Sequence, residues 1–486
     1  MFFNNKKRIW PYLLIGSAII FGFFGYLVFR RVADLTPDDL LKSTFVQKQI
    51  KSRVGESSAK IFDLAPDLLG YAKPRTILVL FLNNTELRPG GGFIGSYAVV
   101  EVNKGKSKIL KVEGIETLDN AANKENLLAP PAIMKAHLKV DKWFLRDSNW
   151  SPDFAESAKL ALDFYKREQG VNATEIDTVV GVKPDVLEEL LKIIGNVSVD
   201  GIEFTPENVV EKLEYEVEYG FAARGISFEE RKNMLKKLTD AIVAKVRQNI
   251  FGNYSEYLTM AGNLGRERQL LIYSEDKNFE SKIDALGWSG KMAAPEGDYL
   301  LWVDANLTAL KTDHALERTL SYAIAPDGQG NFTASAKMKY KHTGGFDWRT
   351  TRYFTYARVY APIGSELVSV SGTVKFGSAE TDKPAFGEES GKMWFGVFAS
   401  LAPGQERELV FNYRLPPKIS ADIVAGKYNL FVQKQLGTKT YGLTLDLNFD
   451  KNITGASTPE SKEQWGDSHY RLETKLETDR DFAVGL

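Results

Sequence analysis

The hydrophobic residues of this chain follow three patterns, and each predicts a different kind of structure. The first is an apolar run at residues 10–29 that contains no charged residue and has basic residues at both ends, at positions 6–8 and 30–31. With a rise of about 1.5 Å per residue, a helix of this length crosses the ~30 Å hydrocarbon core of a bilayer. A buried core helix would have no reason for basic residues at both ends. We therefore predict an uncleaved signal anchor at 10–29, a cytoplasmic tail at 1–9, and the bulk of the chain outside the cytoplasm, held in the cell membrane by a single pass.

In the second pattern, short apolar strands alternate with amphipathic helices between residues 71 and 297. The continuous apolar run at 76–82 is typical of a strand buried on both faces, and two more strands are predicted at 96–102 and 177–182. Helices are predicted to start at Ser151, at Lys183 and near Phe228. This interleaving predicts a layered α/β domain at 71–297, preceded by a membrane-proximal helical segment at 32–70.

In the third pattern, apolar and polar residues alternate with a period of two beyond about residue 299. Four of the predicted strands lie at 331–340, 352–360, 407–413 and 441–448. Turn signals rich in proline and glycine separate them, for example at 361–364 and 415–417. Residues 298–486 are therefore predicted to form an all-β sandwich of the immunoglobulin-like kind.

Composition narrows the chemistry that the chain can perform. The 62 Lys and Arg residues balance 63 Asp and Glu residues, which argues against a general nucleic-acid binder. The chain has no cysteine, so thiolate catalysis, Cys-ligated zinc and disulfides are excluded. Its four histidines lie far apart, without the spacing of a metal site. Arginine, carboxylate, backbone amide and a hard cation such as Mg²⁺ are the remaining candidates.

The glycine-rich segment 90–95 formally matches the dinucleotide motif GxGxxG. In a dinucleotide site this turn must open a helix whose N-terminus receives the pyrophosphate, whereas the residues from Ser96 onward are strand-like. We therefore expect no nucleotide cofactor.

The segment 83–93 is the first candidate binding site. It follows a buried strand, at the strand end where open α/β sheets commonly bind ligands. Arg88 supplies a forked cation suited to phosphate or carboxylate, and glycines let backbone amides approach an anion. The candidate substrate-binding residues in this segment are Asn84, Gly90, Gly91 and Gly92.

The segment 146–154 is the second candidate site, because it places polar groups around a tryptophan at a predicted helix N-terminus. Asp147 and Asp153 are the candidate ligands for Mg²⁺, and Trp150 and Asp153 are candidate substrate contacts. A purely structural interpretation stays open for both segments. In that interpretation the glycines supply positive φ angles, Ser151 caps a helix, and an ion pair between Arg88 and an aspartate holds the loops.

Several strings of the chain resemble the domain of unknown function 4012 family of bacterial membrane-anchored proteins. They are ILVLFLNNTELRPGGGFIGSYAVV, LRDSNWSPDF, VVGVKPDVLEELLKIIG and GDYLLWVDANLTALKTD, and the resemblance extends from about residue 75 to 480. It implies a bitopic envelope protein with an α/β domain and a β-rich C-terminal part, and it implies no established activity.

The order of elements is also distantly similar to the LytR-CpsA-Psr phosphotransferases. That similarity implies binding of a polyprenyl pyrophosphate-linked glycan by arginines and Mg²⁺, followed by its transfer to the cell wall. Arg88 resembles the first arginine of that family, and Arg231 resembles its helix arginine. The second-strand motif Pro-Arg-Asp is replaced here by residues 116–119, and Arg146 with Asp147 is the spatial substitute that we consider. The candidate catalytic residues are thus Arg88, Arg146, Asp147 and Arg231.

Two functions follow from these observations. The chain either binds or transfers a polyprenyl pyrophosphate-linked glycan in cell-wall or surface-polymer assembly, or it is a non-catalytic envelope scaffold or adhesion protein. In the second case the β-sandwich would bind a glycan or a partner protein.

Overall fold

A computed structural model describes residues 60–227, 231, 233–249, 252–375, 377–378 and 380–486. The predicted membrane anchor, the cytoplasmic tail and most of the membrane-proximal segment lie outside these residues. Within the described part of the chain, no helix is both long enough and apolar enough to span a bilayer.

The described helices are mostly short. The α-helices are α1 Ala65–Leu68, α2 Ile115–Ala121, α3 Ala132–Leu138, α4 Phe154–Arg167, α5 Asp185–Ile194, α6 Val209–Tyr215, α7 Phe221–Ala223, α8 Asn233–Asn249, α9 Tyr254–Arg266, α10 Lys277–Ala285 and α11 Pro417–Val424. The 3₁₀-helical turns are Lys60–Asp63, Lys124–Asn126, Leu145–Asp147 and Thr312–Ala315, and a π-helical turn spans Glu216–Gly220.

The strands belong to two parts of the chain. Those before residue 290 are β1 Arg75–Asn83, β2 Phe93–Asn103, β3 Lys106–Gly114, β4 Ile176–Val182, β5 Val197–Val199, β6 Ile202–Phe204 and β7 Leu270–Ser274. Those after it are β8 Asp298–Asn306, β9 Leu316–Pro326, β10 Phe332–His342, β11 Tyr353–Pro362, β12 Glu366–Ser371, β13 Ala385–Glu389, β14 Lys392–Leu401, β15 Glu406–Arg414, β16 Lys427–Gln433, β17 Tyr441–Asn448, β18 Gly455–Ala456, β19 His469–Leu476 and β20 Arg480–Gly485.

The first part is organised by a five-stranded sheet with the order β3-β2-β1-β4-β7. Strand β1 lies in its centre, and successive side chains of β1 enter two different cores, because a strand directs alternate residues to opposite faces. Ile77 and Val79 pack with residues of α5, α8, α9 and α10 on one face. Leu78 and Leu80 pack with residues of α2 and α4 on the other face.

The carboxyl ends of three strands meet at one edge of this sheet. Strands β1 and β4 are parallel, and β3 runs in the same direction because β2 is antiparallel to both β1 and β3. The loop after β1, helix α2 after β3 and the residues after β4 therefore lie along the same edge, which we call the carboxyl edge.

The second part contains a six-stranded sheet, β12-β15-β10-β9-β17-β19, and a seven-stranded sheet, β13-β14-β11-β8-β16-β20-β18. One hydrophobic core contains residues of both sheets, from Trp302 and Val359 to Phe411 and Leu445. Each sheet includes one parallel pair, β8 with β16 and β9 with β17.

The prediction of a mixed α/β chain with a β-rich C-terminal part is confirmed. The seven strands for which the sequence predicts bounds correspond to β1, β2, β4, β10, β11, β15 and β17, and each observed bound lies within about three residues of the predicted one. The predicted turn at 415–417 was wrong in part. Pro417 begins helix α11, where its missing amide hydrogen costs nothing because the first turn has no partner for it. The helix predicted from Phe228 begins in the described residues at Asn233, and Phe228 itself lies outside them.

Candidate functional site

Arg88 is buried at the carboxyl edge, and protein groups surround its guanidinium. The side chain is 4% exposed. Its Nε donates to Asp147 Oδ1 at 3.3 Å, its Nη2 donates to Glu86 Oε1 at 3.0 Å, and its Nη1 donates to the Asn306 carbonyl at 2.6 Å. The guanidinium also lies over the Phe93 ring, 5.3 Å from its centroid. Arg88 therefore binds protein on every branch of its fork.

The glycine loop beside Arg88 is occupied in the same way. The Gly90 amide donates to the Asn149 carbonyl at 2.9 Å, and the Gly91 amide donates to the Arg88 carbonyl at the same distance. Gly92 has a φ of +146°, and a Cβ there would lie 2.6 Å from the Asn83 backbone. Gly91 and Gly92 supply positive φ angles, Gly90 allows close packing against Asn149, and the amides of Gly90 and Gly91 point at carbonyl groups of the protein.

Asn84 joins the α/β part to the C-terminal sheets. Its Nδ2 donates to Asp185 Oδ2 at 2.8 Å and to the Gly437 carbonyl at 3.2 Å. The backbones of Gly437 and Gly91 pack closely at this joint. A Cβ on Gly437 would lie 2.1 Å from the Gly91 carbonyl oxygen.

Arg146 and Asp147 lie next to Arg88, on the 3₁₀ turn Leu145–Asp147. Arg146 Nη1 lies 3.0 Å from Asp119 Oδ2, and its Nε lies 3.8 Å from Asp147 Oδ2. Asp147 therefore stands between two arginines, Arg88 and Arg146. Arg146 is 27% exposed, so it is the more accessible of the two.

Asp119, which the sequence analysis did not select, is part of a buried carboxyl pair with Glu168. Its side chain is fully buried. Burial raises the pKa of Asp119, and the neighbouring Glu168 carboxyl raises it further. Burial also raises the pKa of Glu168, whose Oε1 accepts a hydrogen bond from the Leu145 amide at 2.8 Å. A signal was present in the sequence, since Asp119 shares a helix face with the apolar residues Ile115 and Leu118.

Arg231 reaches the same short helix α2 from the segment before α8. Its Nη2 donates to Glu116 Oε1 at 3.2 Å. Glu116 and Asp119 are three residues apart, so they are neighbours on the helix surface. Helix α2 thus has contacts on both sides: Glu116 with Arg231, and Asp119 with Arg146, which lies beside Asp147 and through it Arg88.

Trp150 and Asp153 have structural partners away from these ion pairs. Asp153 caps helix α4 by accepting from the Glu156 amide at 3.2 Å, and its second oxygen accepts from the Met292 amide at 2.9 Å. The cap predicted at Ser151 is thus provided by Asp153. Trp150 stacks on Tyr356 at 6.5 Å, and its carbonyl accepts from Arg358 at 2.8 Å.

The Mg²⁺ predicted from Asp147 and Asp153 does not fit the groups around these residues. Asp147 faces two arginines, and both oxygens of Asp153 accept backbone amides. Among the described residues, no group of three or more acidic or histidine side chains is arranged to hold a metal ion.

Lys183 is a second residue that the sequence analysis did not select. It follows strand β4 directly at the carboxyl edge and is 1% exposed. Its Nζ donates to the Arg268 carbonyl, and a Cβ on Gly91 would lie 3.1 Å from its Cε. Burial, together with the nearby positive charge of Lys434, lowers the pKa of Lys183 to about 7. Burial likewise lowers the pKa of Lys434 to about 8. The position of Lys183 immediately after a buried strand is the signal that marks it in the sequence.

A search of the curated proteins finds no match to this chain. Among solved structures, the chain is similar to leukotriene A4 hydrolase from Saccharomyces cerevisiae, with 10% identity, 35% of this chain and 28% of that chain covered, and a TM-score of 0.22. It is also similar to the Lin1025 protein from Listeria innocua, with 12% identity, 45% and 80% covered, and a TM-score of 0.23. A third is the transcriptional regulator yvhJ from Bacillus subtilis, with 16% identity, 45% and 78% covered, and a TM-score of 0.21.

These TM-scores are too low for the three likenesses to bear on function, and the chain spans only about a quarter of the length of the hydrolase. The family comparison is more direct. Residues 72–217 match the DUF4012 family, described as a protein of unknown function. This matched region contains the Arg88 loop, α2, the Arg146 turn and Lys183. The family resemblance expected from the sequence is confirmed over residues 72–217, which match the DUF4012 family model.

Proposed function

We propose that this protein is a non-catalytic scaffold of the cell envelope. Its N-terminal segment would anchor it in the membrane, with the folded part outside the cytoplasm. In this proposal the α/β part, layered as in the LytR-CpsA-Psr phosphotransferases, and the C-terminal sandwich act together as a binding structure for an envelope component.

The engagement of Arg88 is the observation that carries this proposal. A transferase of the kind considered needs its arginines to be available to phosphate, because positioning and charge neutralisation supply most of the catalysis. The guanidinium of Arg88 instead binds Asp147, Glu86 and Asn306, and the amides of Gly90 and Gly91 donate to protein carbonyls. These groups support a structural joint between the α/β part and the C-terminal sheets.

The experiment compares turnover with stability in the full chain in phosphatidylcholine nanodiscs. The substrate is undecaprenyl pyrophosphate carrying a disaccharide, offered with Mg²⁺ and a peptidoglycan acceptor. We expect no turnover by the wild-type protein and a lower thermal midpoint for Arg88→Ala and Asp147→Asn. Two results together would overturn the proposal. One is Mg²⁺-dependent turnover by the wild type that is lost in Arg88→Ala, and the other is a thermal midpoint of Arg88→Lys close to the wild-type value.

A second candidate function is binding of the polyprenyl pyrophosphate-linked glycan without the participation of Arg88. Arg146 and Arg231 favour it, because both contact the one helix α2 and both keep part of their surface exposed, 27% and 13% respectively. The forked guanidinium of arginine is suited to a pyrophosphate.

Native mass spectrometry of the full chain with undecaprenyl pyrophosphate tests this second candidate. Binding that weakens in Arg146→Ala and Arg231→Ala, and not in the exposed control Arg266→Ala, is the expected result. Equal binding by all four proteins, or none by the wild type, would exclude it.

A further inference from the structure

An exposed group of aromatic side chains lies where the α/β part meets the C-terminal sheets. Tyr215 ends helix α6 and is 43% exposed, and Tyr219 lies in the following π-helical turn and is 49% exposed. Trp348 lies in the loop between β10 and β11 and is half-buried, and Phe346 in the same loop is 70% exposed. We call Tyr215, Tyr219 and Trp348 the aromatic patch. Adjacent exposed aromatic side chains of this kind often mark an interaction site.

The three rings of the patch pack against one another. The Tyr215 and Tyr219 rings are nearly parallel, with centroids 6.4 Å apart and an interplanar angle of 24°. Trp348 meets both edge-on, at 5.5 Å and 5.3 Å. The two tyrosines are four residues apart, and the π-helical turn that contains Tyr219 is a rare element that is frequent at functional sites.

Buried charges fix the patch to the rest of the protein. Arg349, next to Trp348, is 8% exposed and contacts Glu214 at 2.9 Å and Glu211 at 3.8 Å. Glu214 also accepts hydrogen bonds from Asn83 and Thr85, each at 3.0 Å. The two halves of the patch are thus held in register before any ligand arrives, which lowers the entropic cost of binding.

The acidic side chains around the patch each have a partner within the protein. Glu211 and Glu214 contact Arg349, Glu218 lies 3.6 Å from Lys311, and Glu216 contacts Arg224. Such a rim does not present the cationic excess that binds anionic lipids or nucleic acids. Asp347, the exposed carboxylate beside Trp348, accepts the backbone amides of Arg349 and Thr350, each at 2.7 Å. The rim does present partly exposed carboxylates, Glu211 at 66% and Glu218 at 47%, that can accept hydrogen bonds from hydroxyl groups.

We propose that the aromatic patch binds a neutral glycan. One face of a pyranose ring exposes C–H groups that pack on an aromatic face, while its hydroxyl groups point outward to hydrogen-bond acceptors. The tyrosines and Trp348 supply the aromatic surface, and Glu211 and Glu218 supply acceptors. A quaternary ammonium ligand does not fit between the two tyrosine rings, because a centroid distance of 6.4 Å leaves no room for it. The inference goes beyond the proposed scaffold role, since it holds whether or not the chain also catalyses a reaction.

Isothermal titration of the full chain in phosphatidylcholine nanodiscs tests the proposal. Nanodiscs replace maltoside detergents, because the sugar headgroup of a maltoside would compete with the glycan probes. The probes are chitohexaose, cellohexaose and maltohexaose. We expect at least one to bind, with an affinity that changes little between 50 mM and 500 mM NaCl. Tyr219→Ala and Trp348→Ala should each weaken binding about fivefold or more, corresponding to roughly 1 kcal/mol of lost stacking.

Phe386→Ala is the matched control, because Phe386 is 71% exposed on β13 and is not part of the patch. It should bind as the wild type does. An unchanged thermal midpoint in Tyr219→Ala excludes unfolding as the cause of weaker binding. Failure of all three probes, or equal binding by wild type and both patch variants, would overturn the proposal. Quenching by brominated lipid that disappears in Trp348→Phe would also overturn it, because it would place the bilayer on the patch.

Discussion

The guanidinium of Arg88 and the carbonyl group of Asn306, 218 residues apart in sequence, form a 2.6 Å hydrogen bond. Backbone contacts surround this bond. The Asn306 amide donates to the Leu87 carbonyl at 2.9 Å, and the Asp313 amide donates to the Thr85 carbonyl at 3.1 Å. Asp313 Oδ2 accepts from the Leu87 amide at 3.0 Å. The loop after β1 is therefore bound along its length to the segment after β8, and Arg88 lies at the centre of this joint.

Arg88→Ala is expected to destabilise the protein strongly. The substitution leaves the part-buried Glu86 without its Arg88 partner, Asp147 with Arg146 as its remaining arginine, and the Asn306 carbonyl without its donor. Removal of one partner from a buried ion pair costs about 3–5 kcal/mol. The thermal midpoint of the full chain in nanodiscs should fall by on the order of 10 °C.

Lys337→Ala serves as the control for this prediction. Lys337 pairs with Glu408 on the surface, with both side chains well exposed, and such pairs contribute about 0–1 kcal/mol. If the thermal midpoint of Arg88→Ala lies within about 2 °C of that of Lys337→Ala, Arg88 does not stabilise the joint.

The α/β strands were predictable because their sequence pattern has one physical interpretation. The run 76–82 is apolar at every position except the first, and a strand of this kind must be buried on both faces. In the structure Ile77 and Leu78 lie in two different cores, as the pattern requires. The period of two beyond residue 299 likewise follows from sheets with one buried face.

The partners of the site residues were not predictable from the sequence. Arg88 follows a buried strand, and this position correctly indicates the carboxyl edge of a sheet. Whether its partner is a phosphate or the Asn306 carbonyl depends on how two distant segments pack, and no local pattern records that. Charged residues such as Asp119 and Lys183 are ordinarily placed on the surface, so their burial was missed, although each lies beside apolar positions.

The pH dependence of stability should reveal the buried Asp119. Its raised pKa means that the folded state retains a proton that the unfolded chain releases above about pH 4. Stability from this group is therefore lost as the pH rises towards the folded pKa, by up to about 1.4 kcal/mol per pH unit.

Asp119→Asn keeps the shape of the side chain and removes its ionisation. The difference between the thermal midpoints at pH 5 and pH 8 should be smaller in this variant than in the wild type, and Asp141→Asn, on an exposed side chain, should match the wild type. Parallel pH profiles for Asp119→Asn and the wild type would contradict the assignment.

Lys183 should contribute a pH dependence of the opposite sign. Its pKa of about 7 in the fold lies below the value of about 10.4 in the unfolded chain, so between these values the unfolded state binds the extra proton. Stability from this group therefore increases as the pH rises from 7 towards 10. Lys183→Met removes that increase, and the gain in thermal midpoint between pH 7 and pH 9 should be smaller than in the wild type. Lys337→Met, on the exposed surface, should leave the gain unchanged, and an unchanged gain in Lys183→Met would show that Lys183 is charged in the fold.

Gly437 tests how tightly the two parts of the chain are joined. Its φ is +85°, and a Cβ at this position would lie 2.1 Å from the Gly91 carbonyl oxygen, a backbone atom that cannot rotate away. Gly404 is a matched control, since it has a φ of +78° and nothing within 4 Å of the corresponding position. Both alanine variants incur the strain of a left-handed backbone, about 1 kcal/mol or slightly more. Gly437→Ala must also displace the glycine loop from the C-terminal sheets.

We expect Gly404→Ala to lower the thermal midpoint by a few degrees and Gly437→Ala to lower it further. We also expect faster amide hydrogen exchange in the segments 84–92 and 306–313 of the Gly437 variant only, because the clash is transmitted along the joint. Equal midpoints and equal exchange in the two variants would mean that Gly91 and Gly437 are not in contact in solution. The joint around Arg88 would then lack its contact with Gly437.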